Sequence, residues 1–214
     1  GPILTVLVLR WIRFFPKLDR KRDIILLACG GMIGMLASSV IGTLTLSIAG
    51  KIDTDHLTAG LTWWAGDAMG VIIGAPLLLT FYRERWLAAD TRRTEFGAWL
   101  LSMGFIIYTL FVLDTDVAGG CWRLPFLALP FMAWAALRFG AVGTSIGVVL
   151  LSFGAAYGAA SGITPFDRTN PVESGTVLWL FMATNVLLGW LITSLQTSTQ
   201  KASNTSVIFQ RALD

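Results

Sequence analysis

The run Trp63-Trp64-Ala65-Gly66-Asp67-Ala68-Met69-Gly70, continuing through Val71-Ile72-Ile73-Gly74-Ala75-Pro76 to Tyr82, sets one carboxylate inside an otherwise apolar segment. Read as a helix starting at Ala59, it puts Asp67 about 12 Å from that start at roughly 1.5 Å per residue, well inside a hydrocarbon core of about 30 Å. A carboxylate there costs about 2.5–3.5 kcal/mol on insertion scales, so it is expected to face protein or a water-filled cavity and not lipid. Helical spacing puts Trp63 at i−4, Trp64 at i−3, Gly70 at i+3 and Gly74 at i+7 on the same face. Gly66, Gly70 and Gly74 recur every four residues, the small-xxx-small spacing that lets membrane helices approach closely. Pro76 lacks a backbone donor, frees the carbonyl of Ile72 and is expected to kink the helix one turn earlier.

Two chemistries stay open for Asp67: a hydrogen-bonded carboxylate that fixes helix packing, or a ligand or proton site. Asn185 and Tyr108 are its candidate partners. Trp63 and Trp64 fit interfacial anchors, with an aromatic wall for a ligand as the other use. The glycines are packing positions and not a phosphate cradle, because neither a strand nor a Lys-Ser/Thr pair accompanies them. His56 is the sole histidine, so neither a metal site nor a histidine-based triad can be assembled, and no nucleotide or cofactor motif is present. Cys29 and Cys121 fall near opposite ends of different spans and are not expected to pair.

These residues have to be positioned by an unusually apolar chain. Of 214 residues 55% are hydrophobic and 14% charged, with a mean hydropathy of +0.69, against roughly 25% charge in soluble domains. Glycine and proline lie within the apolar runs, as membrane helices allow. The fold expected is an all-α, polytopic transmembrane bundle: a partial span over 1–12 and six whole spans over 24–49, 59–82, 96–113, 124–138, 141–161 and 175–196. The short span at 124–138 contains Pro125 and Pro130 and turns into the next at Phe139-Gly140. Residues 1–196 form the membrane domain and 197–214 a linker helix leaving it. Residues 1–9 supply half a span and read as a helix cut in its middle.

The net charge of +3 is explained by topology and not by nucleic acid. Alternate loops and the tail hold 13 basic residues, including Arg10, Arg13, Lys17, Arg83, Arg85 and Arg138, against Lys51, Arg123 and Arg168 on the other side. The positive-inside rule therefore places the C-terminal tail in the cytoplasm.

The Trp63–Gly70 run with Ala75-Pro76-Leu77-Leu78-Leu79 resembles the signature of MASE1, a multi-span bacterial sensory domain. Leu129-Pro130-Phe131-Met132-Ala133-Trp134-Ala135-Ala136-Leu137-Arg138-Phe139-Gly140 is similar to that family's Pro, Trp and Ala-Leu-Arg-Phe-Gly segment, and Gly162-Ile163-Thr164-Pro165-Phe166 to its Gly-x-x-Pro-Phe loop. Three blocks in the family's order cover roughly residues 1–200. The resemblance implies an inner-membrane protein of bacteria whose opening spans are missing here. It implies a cytoplasmic output in the same chain, a PAS module, a histidine kinase, or a diguanylate cyclase with or without a phosphodiesterase, acting as a homodimer. Phe209-Gln210-Arg211-Ala212-Leu213-Asp214 is similar to the first helix of a PAS domain. Under the resemblance Arg138, which by position simply snorkels, becomes a structural clamp.

The function expected is a signal-input module that binds a small ligand or a membrane partner around Asp67 and relays it along the last span. A fragment of a secondary transporter or channel using Asp67 as its ion or proton site is the alternative. An intramembrane enzyme lacks its catalytic partners.

Overall fold

In the computed structural model, residues 1–14, 21–51, 55–81, 90–113, 125–162, 166 and 170–213 are described. Tyr82, Cys121, Pro165 and the loop cations Lys17, Arg20, Arg83 and Arg85 lie outside them, as do the side chains of 209–214. Helices α1 (Pro2–Trp11), α2 (Lys21–Ile48), α3 (His56–Phe81), α4 (Asp90–Phe111), α5 (Leu129–Ala160) and α6 (Pro171–Leu213) follow in order, with a 3-10 turn at Pro125–Ala128 before α5. Five segments among the described residues are long and apolar enough to cross a membrane. The chain divides into two compact units, Gly1–Leu79 and Thr80–Asp214.

In the first unit α1 lies antiparallel on α2. Gly1, Thr5 and Leu9 meet Ser38, Gly34 and Gly30, so each step of four along one helix matches a step of four back along the other. The small-xxx-small ridge in use here is thus Gly30-Gly34-Ser38, where absent side chains admit α1. Helix α3 returns along α2, with Gly31 against Val71 and Gly42 beneath the ring of Trp63. Its start is three residues earlier than the sequence suggests because Asp55 caps it, its Oδ2 accepting from the backbone N–H of Thr58 at 3.3 Å.

The second unit is organised around α5, whose 32 residues contain one non-helical position, Gly140, at φ 58° and ψ −142°. There the helix doubles back. A Cβ at Gly147 would stand 2.9 Å from Sδ of Met132, although fifteen residues of straight helix would separate them by about 22 Å. The segment therefore has two antiparallel legs, 125–139 and 141–160, with the turn where the sequence expects it, at Phe139-Gly140. The first leg, a 3-10 turn plus three helical turns, reaches about 24 Å. Pro130 sits in the first turn of α5, where a missing N–H breaks no hydrogen bond.

Helix α4 runs parallel to the second leg, Trp99 touching Gly147 and Ile107 touching Gly154. Helix α6 runs antiparallel to it, starting at Pro171 behind Asn170, whose Oδ1 accepts from the N–H of Val172 at 3.0 Å. It is far longer than the 175–196 span read from the sequence and continues unbroken to Leu213. Trp99, Met103, Phe111, Met132, Val148 and Trp190 are among the unit's core. Leu101, Phe105, Phe153 and Leu187 face outward, as expected where lipid replaces water.

Candidate functional site

Asp67 stands eleven residues into α3, about 16 Å along the helix axis and close to its middle. It is half-buried and makes no hydrogen bond or ion pair among the described residues. The indoles beside it are held against α2. Nε1 of Trp64 donates to the backbone carbonyl of Met32 at 2.7 Å, and the ring of Trp63 covers Gly42. Nearer the helix start, the hydroxyl of Ser39 donates to the carbonyl of Gly60 at 2.5 Å, and Ser47 Oγ lies 3.1 Å from His56 Nε2. These bonds fix the rotation of α3 about its own axis and with it the bearing of Asp67.

Outside the backbone of α3 itself, no atom of the described residues lies within 4 Å of a Cβ built at Gly66, Gly70 or Gly74. Close approach among the described residues of this unit falls instead on Gly30, Gly31, Gly34 and Gly42 of α2 and on Gly1, none of which spacing singles out. Pro76 lies inside α3, which continues to Phe81 as one helix. Cys29 is a free thiol on the exposed surface of α2.

In the second unit Arg138 gathers several elements at one point. Its Nε and Nη2 donate to Oε1 and Oε2 of Glu95 at 2.6 and 2.7 Å, a two-point fork. Trp134 Nε1 donates to the same Oε1 at 3.3 Å, and Nε1 of Trp99 donates to the Phe131 carbonyl at 2.9 Å. Phe96 and Phe139 meet edge to face at 5.1 Å, with Trp99 beside both. On the same leg, just before the turn, the carbonyl of Leu137 accepts from Nε2 of Gln196. The start of α4, the turn of α5 and the place where α6 leaves its apolar stretch are therefore tied together at one end of the unit. Arg138 does snorkel, with a side chain 60% exposed, but its head group is committed to Glu95.

Glu95, Gln196 and the indole of Trp99 were not legible as a group. That Glu95 precedes a span on the same side as Arg138 was the available signal, since a cation at a helix end attracts a nearby carboxylate.

Between α5 and α6 runs a polar seam. Thr144 and Thr193 hydroxyls are 2.7 Å apart, and because Thr193 donates to the Gly189 carbonyl at 2.9 Å, Thr144 is the donor between them. Thr80 donates to Ser145 at 3.3 Å, which itself donates to the Ala141 carbonyl. Asn185, 2% exposed, donates from Nδ2 to the Phe181 carbonyl at 2.8 Å. Asp67 belongs to the first unit and Asn185 to the second. Tyr108 is half exposed on α4. Among the described residues no group of His, Cys, Asp and Glu gathers in a form that could hold a metal ion.

The model of the MASE1 family matches residues 2–199 of the chain. No curated protein and no solved structure matches it.

Proposed function

The chain belongs to the MASE1 family, membrane-associated sensory domains of signalling proteins, and from that premise we propose that it receives its signal at Asp67 and passes it out through α6. The observation that carries this reading is the carboxylate itself. Asp67 sits near the middle of an apolar helix, half-buried and without a hydrogen-bond or ion-pair partner among the described residues. Such a group is expensive in a bilayer and is retained where it meets a ligand, a proton or a partner helix. Trp63 and Trp64 flank it as an aromatic wall anchored to α2. The glycine face at 66, 70 and 74 leaves room for a small ligand or for a helix of a membrane partner.

The domain occupies residues 1–196 in the bacterial inner membrane, and residues 197–214 lead as a linker helix into a cytoplasmic output domain. The excess of 13 basic residues over 3 on the loops joined to the tail supports that orientation. The output is a kinase or a diguanylate cyclase, with or without an intervening PAS module, working as a homodimer. Signalling requires that the ligand bind two arrangements of the helices unequally, and a swing from 1:99 to 99:1 takes about 5.5 kcal/mol of preference.

The test is Asp67→Asn in the full-length protein in native membranes, with autophosphorylation or cyclic di-GMP formation as readout. The expected result is a normally inserted protein whose output is locked at one level. A mutant that responds to stimulus and pH as the wild type does makes Asp67 a packing residue. Proton or solute flux in liposomes that is lost in the same mutant would put a transporter in place of a sensor.

A further inference from the structure

Asn185 lies on the polar seam between α5 and α6, one turn of helix beyond Phe181. Its Oδ1 is buried and has no hydrogen-bond partner among the described residues. The assignment of the amide is settled by its neighbour: exchanging the two ends would set Oδ1 against the Phe181 carbonyl, two acceptors face to face. In a bilayer no outside solvent relieves such an acceptor, so an orphaned one bears its full desolvation penalty.

The register of the seam identifies what stands opposite. Thr144 meets Thr193, and four residues further along α5 Val148 meets Gly189, four residues back along α6. Extended by one more step of four, the same register brings Ser152 to the level of Asn185. Ser152 is 6% exposed, and its hydroxyl makes no hydrogen bond among the described residues. Every other step of the seam is either bonded or filled: Thr144 and Thr193 bond each other, and the place of a Gly189 side chain is taken by Thr144 and Met132. Near this level of the seam Phe111 stands 3.5 Å from a Cβ built at Gly154 on α5, Phe181 precedes Asn185 by one turn of α6, and with Phe166 their rings lie 5.0–6.1 Å apart.

We propose that Asn185 and Ser152 form a site for a single buried water between α5 and α6, donating to Oδ1 of Asn185 and bonded to Oγ of Ser152. Two polar groups that face each other across a helix seam without a bond between them are what an internal water bridges. The phenylalanine cluster retains it by shielding it from the membrane surface.

The experiment uses full-length protein in nanodiscs and infrared difference spectroscopy, with water as the probe. Wild type minus Ser152→Ala, and wild type minus Asn185→Leu, should each show one bound-water O–H band that moves in H2(18)O. The Asn185 side-chain carbonyl, identified by isotopic labelling, should shift to the free-carbonyl position in Ser152→Ala. Loss of the water band in both variants supports the site. A wild type without such a band, or an Asn185 carbonyl unmoved by Ser152→Ala, overturns it. Ser152→Ala removes a single oxygen, so the carbonyl readout stands even if Asn185→Leu does not fold.

Discussion

Gly140→Ala isolates what the turn of α5 requires of the backbone. At φ 58° and ψ −142° the residue occupies the mirror image of the polyproline II region, which glycine enters freely and other residues do not. Apart from its own neighbours in the chain, no atom of the described residues lies within 4 Å of the added Cβ, so the substitution meets no obstacle from packing and its effect lies in the local backbone. Residues forced into such regions cost about 1–3 kcal/mol, which lowers the folded-to-unfolded ratio about 5- to 150-fold. Gly140→Asn should be no better than alanine, because ψ lies far from the left-handed helical region that asparagine tolerates. Equilibrium unfolding in mixed micelles measures the loss. Gly143→Ala is the comparison: its Cβ would stand 2.9 Å from the Ala135 carbonyl, so it is destabilising through contact without any unusual dihedral. If Gly140→Ala unfolds at the wild-type midpoint, residue 140 does not hold this conformation and the two antiparallel legs are wrong.

Thr193→Val should destabilise more than Thr144→Val, because the former strips Thr144 of its acceptor while the latter leaves Thr193 still donating to Gly189; a double-mutant cycle on unfolding should give a coupling of about 0.6 kcal/mol and no more than about 1.7. Trp64→Phe keeps the ring and deletes the bond to Met32, so unfolding should become easier by about 0.5–1.5 kcal/mol, and an unchanged midpoint would mean the indole does not anchor α3. Glu95→Gln should lower the midpoint more at low salt than at high salt, since its partner Arg138 is largely exposed and screened; equal loss at both would remove the ion pair from the account. Gly34→Leu should separate α1 from α2 by colliding with Thr5, read as loss of a disulfide engineered between the two helices.

Composition and charge made the helical membrane class legible, and the turn at Phe139-Gly140 was visible because glycine there interrupts an apolar stretch too long for one crossing. Helix ends were less so: α3 begins at His56 because of a cap by Asp55, and α6 at Pro171 because of Asn170, signals that apolar periodicity does not weigh. Which glycines pack was illegible for a different reason. Gly30 and Gly34 share the spacing of Gly66, Gly70 and Gly74, and spacing says that a helix can approach without saying which one does. The same holds for Arg138, whose carboxylate partner lies 43 residues away in sequence. Asp67 was legible as an anomaly from residue type and position alone.

The 43 residues of α6 measure about 65 Å as one helix, twice the thickness of a hydrocarbon core. A continuous rod has a phase as well as a length. One residue inserted between 197 and 213 advances everything beyond it by about 1.5 Å and swings it by about 100°, whereas seven restore its bearing to within about 20°. An output domain of the kind proposed above would be set by angle like a key on a shaft, and a ladder of insertions there should make its activity rise and fall with the helical repeat.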